Sequence, residues 1–149
     1  MARFEKHEES SIKVTAEVLE RDGGFNSPND RKFFHCLIAE ANVDGATEMA
    51  GYAIWFYTYS TWLGRDVYLE DIFVSDKFRR QGLGRQFFEK IAKEALENGC
   101  KKLKLNVLSW NRGAIALYEK LGGVNLTKDE DWHVYYFDND SLNQLANSN

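Results

Sequence analysis

The longest regular pattern in the chain runs from Gly82 to Asn98. Leu83, Phe87, Phe88, Ile91, Ala92, Ala95 and Leu96 recur at helical spacing on one face. Arg85, Gln86, Glu89, Lys90, Lys93, Glu94 and Glu97 take the other, with Glu89 and Lys93 spaced for an i,i+4 ion pair. Asn98-Gly99 stops this helix, and Lys101 to Leu108 then alternates as a strand with Leu103, Leu105 and Val107 on one side. Before the helix, Val67 to Val74 reads as a strand whose apolar run is interrupted by Glu70-Asp71. A right-handed crossover through the helix makes these two strands parallel. Upstream, Phe33–Glu40 and Met49–Thr58 read as an antiparallel pair around Asp44-Gly45, the second long and aromatic enough for a central place. Trp62 lies in the loop from Tyr59 to Arg65. A short helix over Thr15–Arg21 ends at Gly23-Gly24. Downstream come a helix over Arg112–Leu121 capped by Asn111, a short segment near Val124, a strand over Trp132–Asp138 and a helix over Ser141–Ala146. The expected architecture is α/β: a mixed antiparallel and parallel sheet flanked by helices, in one domain spanning residues 1–149.

Composition narrows the function. A chain of 149 residues, 44% hydrophobic and 14% aromatic, has enough apolar material for one well-packed core. Its net charge of −4 disfavours nucleic acid and suits a cationic partner. No apolar run is long enough to span a membrane, and the opening Met-Ala-Arg-Phe-Glu-Lys is too polar for a signal peptide. Cys36 and Cys100 read as unpaired, reduced thiols, which places the protein in the cytoplasm. The three histidines show no metal-ligand spacing.

The chemistry concentrates between Asp71 and Arg85. A strand hands over to a helix through Arg79-Arg80-Gln81-Gly82-Leu83-Gly84, which points free N–H groups and the positive end of a helix dipole at one spot. Arg79, Arg80 and Arg85 add positive charge, and Gly82 and Gly84 allow close backbone approach and positive φ. Such a loop suits a phosphate or pyrophosphate. It is neither a P-loop, which needs Gly-Lys-Ser/Thr, nor a three-glycine dinucleotide fingerprint.

The hexapeptide has the Arg/Gln-x-x-Gly-x-Gly/Ala spacing and resembles the acetyl-CoA pyrophosphate loop of the GNAT superfamily of N-acetyltransferases. The strand ending Ile72-Phe73-Val74, the helix opened by Asn111-Arg112, and Ala116-Leu-Tyr-Glu-Lys-Leu-Gly122 fall in the same order as that superfamily's landmarks. Phe34 to Glu40, Gly51 to Trp62, Tyr68 to Val74, Trp110-Asn111 and Asp129 to Trp132 more closely resemble the diamine acetyltransferases, the subfamily of spermidine/spermine and thialysine acetyltransferases. Arg3-Phe4-Glu5-Lys6 is more similar to the thialysine branch. That family has a strand and a helix before the Phe-Glu-Lys position, so the resemblance implies a GNAT-like sheet here without the usual first strand and first helix. Arg80 stands where polyamine enzymes tend to have glycine.

The resemblance implies acetyl-CoA as cosubstrate, no metal, and direct attack of an amine on the thioester without an acyl-enzyme. An alkylammonium has a pKa of about 10.4, so a base must remove its proton near neutral pH. Glu70, in a buried strand facing the site, is the candidate amine binder and base; its alternative is a structural ion-pair carboxylate. Tyr118 is the candidate acid for the CoA thiolate, its alternative a packed helical tyrosine. Ile72, Phe73 and Val74 would offer backbone groups to the pantetheine arm. Arg79, Arg80, Gln81, Gly82, Leu83, Gly84 and Arg85 would hold the pyrophosphate, and Asn111, Arg112, Gly113 and Ala114, with Tyr118, the rest of CoA. Phe4, Glu5, Trp62, Glu70, Trp110 and Glu130 would line the site of a small cationic amine. A carboxylate-bearing amine would need a further donor, for which Arg3, Lys6 and Arg65 are candidates. The family's usual assembly is a homodimer. Two other readings stay open: a GNAT acting on a peptide lysine or N-terminus, and a non-catalytic acetyl-CoA-binding module.

Overall fold

In a computed structural model of the chain, which describes residues 12–26, 31–130 and 135–147, four strands form one sheet. They are β1 (His35–Val43), β2 (Ala46–Ser60), β3 (Gly64–Val74) and β4 (Lys102–Leu105), in that spatial order. β1 and β2 are antiparallel around a turn at Asp44-Gly45, β2 and β3 are antiparallel, and β3 and β4 are parallel. The central β2 and the mixed directions agree with the alternation in the sequence. The described residues fall into two compact units, divided between Trp110 and Asn111.

The first unit holds the sheet, α1 (Ala16–Gly23) and α2 (Leu83–Glu97). Thr15 caps α1 by accepting from the Val18 N–H, and Gly24 closes it in the left-handed conformation. The core forms where α2 meets one face of the sheet. Ala53 and Trp55 of β2, Val67 and Leu69 of β3, and Phe87, Ile91 and Ala95 of α2 are all buried, with Cys100 beside them. Each large apolar side chain among them contributes about 1.5–3 kcal/mol by leaving water. Leu37, Ala39, Ile72, Val74, Leu103 and Leu105 pack around this cluster.

Three expectations need correction here. Ala92 and Leu96 are exposed, so the apolar stripe of α2 is narrower than its spacing suggests. Glu94, expected on the solvent face, is instead half-buried and accepts a hydrogen bond from the Tyr57 hydroxyl at 3.3 Å. Glu89 pairs with Arg85 at 2.7 Å, not with Lys93, which lies 3.9 Å from Glu97. Cys36 and Cys100 are both free thiols, as read from the sequence, and burial raises the pKa of each.

The second unit carries α3 (Arg112–Lys120), α4 (Leu126–Asp129) and α5 (Asn139–Ala146). Asn111 caps α3, its side chain accepting from the Ala114 N–H at 3.3 Å. The short α4 was not expected, since four residues show no period. The strand read over Trp132–Asp138 is not found in its described part. Tyr135, Tyr136 and Phe137 take no regular structure and are strongly exposed. The remainder of that segment, like Phe4, Glu5, Arg3, Lys6 and Trp132, lies outside the described residues.

Candidate active site

The site is built on an irregularity in β3. Leu69 pairs with Trp55 and Asp71 pairs with Ile54, so Glu70 is one extra residue in the ladder, a β-bulge. The bulge changes the phase of the strand. Val67 and Leu69 face α2 before it, and Ile72 and Val74 face α2 after it. The sequence carries this signal in the apolar spacing 67, 69, 72, 74, which slips by one at the polar pair. Glu70 and Asp71 are thereby both turned to the face away from α2, and no carboxylate has to enter the core. This corrects the sequence reading of Glu70 within a buried strand: its own side chain is exposed. Its surroundings still displace enough water to raise its pKa, and the like charge of Asp71 adds to the shift. Tyr68, on the same face, feels Glu70 in turn. Its phenol is raised first by burial and then by that carboxylate.

The parallel ladder between β3 and β4 ends at the same place. It runs from Asp66–Lys102 to Leu69–Leu105 and goes no further. Residues 70–74 therefore carry one row of backbone groups that β4 does not pair. Ile72, Phe73 and Val74, expected to meet an extended ligand with their backbone, lie on this stretch.

β3 leads into a 3-10 turn (Asp76–Phe78), then Arg79–Gly82, and then α2. Gly82 stands at the N-cap with φ 84° and no side-chain cap, and the first return bond of α2 is Gln86 N–H to Gly82 C=O. The N–H groups at the start of α2 thus have no acceptor within the helix, and its first turn holds no acidic residue. Gly84 is helical; of the two glycines only Gly82 has positive φ.

The three arginines differ. Arg79 Nε donates to the Val74 carbonyl at 2.9 Å, its Nη1 pairs with Asp76 at 2.9 Å, and its guanidinium lies 5.9 Å from the Phe73 ring centre. It ties the end of β3 to the loop. Arg85 is paired with Glu89. Arg80 is exposed and sits at φ 63°, a left-handed conformation that a non-glycine side chain resists. Glycine at this position, as in polyamine enzymes, would relieve that strain. Gln81 donates from Nε2 to the Lys77 carbonyl at 3.1 Å, and Lys77 pairs with Glu48, so the loop is also held from β2.

The other expected residues are distributed as follows. Trp62 stands at the tip of the β2–β3 hairpin, 92% exposed. The strand from Gly64 to Glu70 puts about 20 Å between that tip and Glu70, so the two do not meet within one chain. Trp110 is 41% exposed in the turn after β4. In the second unit, Asn111, Arg112, Gly113 and Ala114 form the cap and first turn of α3. Tyr118 is half-buried on α3, and burial raises its pKa above the ordinary value of 10.0. Glu130 is exposed at the C-terminal end of α4. Asp71, read from the sequence as a polar pair with Glu70, lies on the Glu70 face; Tyr68, Asp66 and Lys104 share that face but were not singled out from sequence, and the register alone places them there.

Comparison with known proteins gives a consistent picture. A family model described as the acetyltransferase (GNAT) family matches residues 4–123. A thialysine N-epsilon-acetyltransferase of Bos taurus is 39% identical over 150 residues, covering 98% of this chain and 85% of that protein. A human spermidine/spermine N(1)-acetyltransferase-like protein is 30% identical over 139 residues, covering 91% of this chain and 19% of its own length. Among solved structures, an aminoglycoside N-acetyltransferase in complex with CoA is similar with a TM-score of 0.55 at 22% identity, over 72% of this chain and 76% of that one.

Proposed function

Since the chain belongs to the GNAT acetyltransferase family and is an acyltransferase, we propose that it transfers acetyl from acetyl-CoA to a primary amine of a small cationic substrate, with a thialysine-like acceptor ahead of a polyamine. The observation that carries this reading is the bulge. It sets a carboxylate of raised pKa at the point where β3 leaves β4, beside a stretch of backbone that β4 does not pair and that leads into a basic loop and a helix N-terminus. The higher identity to thialysine acetyltransferases favours the amino-acid acceptor. The family match, which runs across Trp110 and Asn111, supports one acetyltransferase domain.

In this reading Glu70 holds the ammonium and takes its proton, directly or through water. The free amine attacks the thioester carbonyl, the C–S bond breaks, and Tyr118 gives its phenolic proton to the departing thiolate. The added nitrogen's second proton returns to the Tyr118 phenolate through solvent, and Glu70 releases the first to solvent, which restores both groups. A tyrosine whose pKa is raised by burial stays protonated at working pH and is suited to that task. Acetyl-CoA supplies the activated acyl group. Ile72, Phe73 and Val74 would meet its pantetheine arm along the open side of β3. Arg80 and the N–H groups opening α2 would take the pyrophosphate on a loop shaped by Arg79, Gln81 and Gly82, with Arg85 adding field. By the resemblance, Asn111, Arg112, Gly113 and Ala114 of the second unit would be cofactor-binding, and Trp110 and Glu130 acceptor-binding. Trp62 would reach an acceptor only from a second copy of the chain, as a homodimer would allow. The free cysteines support a cytoplasmic protein.

CoA thiol release with acetyl-CoA and each of thialysine, lysine, spermidine and putrescine tests the reading. Preference for thialysine is expected. Preference for spermidine would move the protein to the polyamine branch. Acetyl-CoA binding without turnover of any amine would overturn the small-amine assignment in favour of a peptide acceptor or a non-catalytic module.

A further inference from the structure

The Glu70 face holds a second charged group that the acetyl transfer above leaves unused. Asp66 of β3 is fully buried, 0% exposed, and Lys104 of β4 places its Nζ 2.7 Å from Asp66 Oδ2. Among the described residues neither Asp66 oxygen has a partner in hydrogen-bond geometry, the Lys104 contact being an ion pair, and neither has the buried hydroxyl of Thr58, its cross-strand neighbour on β2. A buried carboxylate left partly unsatisfied works against the fold. The one group it holds in place is an ammonium that is still 39% exposed and has further N–H bonds to give.

The register fixes where that ammonium sits. Lys104 is the ladder partner of Tyr68, two residues before Glu70 and on the same side of the sheet. With strand rise and spacing, Lys104 and Glu70 stand about 8 Å apart at their Cα atoms. The Lys104 Nζ is drawn toward Asp66 and so lies farther from Glu70 than its Cα does; extended thialysine, about 8 Å from its reacting nitrogen to its carboxylate carbon, with a hydrogen bond of about 3 Å at each end, is long enough to bridge the two side chains. Arg65, a candidate carboxylate donor by sequence, is excluded. It lies on the α2 side of β3, where its Nη1 donates to the Asn98 carbonyl at 3.4 Å, facing away from Glu70.

We infer that Lys104 is the specificity-determining residue that binds the α-carboxylate of the acceptor, and that Asp66 is the positioning residue beneath it. The inference rests on the thialysine-like reading of the site. An acceptor bound between Glu70 and Lys104 is read at both ends: the reacting ammonium by the carboxylate, the carboxylate by the ammonium. A polyamine offers no anion to Lys104 and meets a cation there instead, so the same residue selects against it.

The test compares thialysine with bis(2-aminoethyl) sulfide, which keeps the reacting arm and the sulfur and lacks only the carboxylate. In Lys104→Met the ratio of kcat/KM for thialysine to that for the sulfide diamine should fall about ten- to hundredfold, the worth of one charge-assisted hydrogen bond, and through KM more than kcat. Lys104→Arg should keep most of the ratio. Because Lys104→Met leaves Asp66 buried and unpaired, the double variant Asp66→Asn/Lys104→Met, with a neutral interior, should show the same fall if the single variant does not fold. A ratio unchanged in the folded variants, or an equal loss on both amines, overturns the inference while the wild type's use of thialysine stands. A wild type that turns over neither amine overturns the thialysine-like reading, and this inference with it.

Discussion

The role proposed for Arg80 would set stability against cofactor affinity, and three variants separate the two. Its φ of 63° is a left-handed conformation that costs a non-glycine residue about 1–2 kcal/mol. Glycine relieves that cost but loses about 0.5–1 kcal/mol more backbone entropy on folding. Arg80→Gly should therefore be more stable by about 0.5–1 kcal/mol, a Tm rise of roughly 1–4 °C for a chain of this size. The same change removes the exposed guanidinium that would meet the pyrophosphate, so KM for acetyl-CoA should rise about tenfold, less at high salt. Arg80→Ala keeps the strain and loses the charge, and Arg80→Lys keeps both. Thermal unfolding of the free protein and acetyl-CoA KM at two ionic strengths read the two effects apart. Equal Tm for the glycine and alanine variants would refute the strain argument. An unchanged KM in both would refute the placement of the cofactor's phosphates.

Glu70→Gln should lower kcat/KM by about 10²–10⁴. The acidic limb of the wild-type pH profile should lie above the ordinary carboxylate range, because both causes acting on Glu70 raise its pKa. Asp71→Asn removes the like charge and should move that limb to lower pH; a move upward would sink the assignment. Tyr118→Phe should reduce kcat about 10²-fold with acetyl-CoA KM little changed, and any alkaline limb due to Tyr118 should lie above pH 10. Gly51→Ala should destabilise the protein by about 1–3 kcal/mol in denaturant unfolding, because a Cβ there would stand 2.4 Å from the Phe73 carbonyl oxygen and 3.3 Å from the Phe87 ring. The same clash would shift the Phe73 peptide, which the proposed cofactor site includes, so acetyl-CoA KM should rise as well.

The parts of this fold that were legible in the sequence are those where one period dominates. The alternation of β2 and the 3.6-residue period of α2 put Ala53, Trp55, Phe87, Ile91 and Ala95 into a single core. The antiparallel and parallel pairings followed from turn chemistry and connection length. The misreadings arise where two rules compete. Tyr135, Tyr136 and Phe137 have strand propensity, but propensity alone does not make a strand, and these described residues take no regular structure. Glu94 was read by polarity as a solvent residue, yet the Tyr57 hydroxyl draws it inward. For the site, residue types and spacing marked Glu70 and the Arg79–Arg85 loop. They did not reveal that Trp62 and Glu70 are a hairpin's length apart, or that Lys104 shares a face with Glu70. Both facts are properties of register, which belongs to pairs of strands rather than to any one stretch of chain.

The bulge also bears on how such an enzyme changes its chemistry. Most residues of β3 answer to a neighbour: Val67 and Leu69 to the core, Asp71 to its partner Ile54, Ile72 and Val74 to α2. Glu70 has no partner in the ladder, which closes across it, and its side chain is exposed. The position proposed to act on the acceptor is thus the one the ladder constrains least. Substitutions there should change activity with little change in stability.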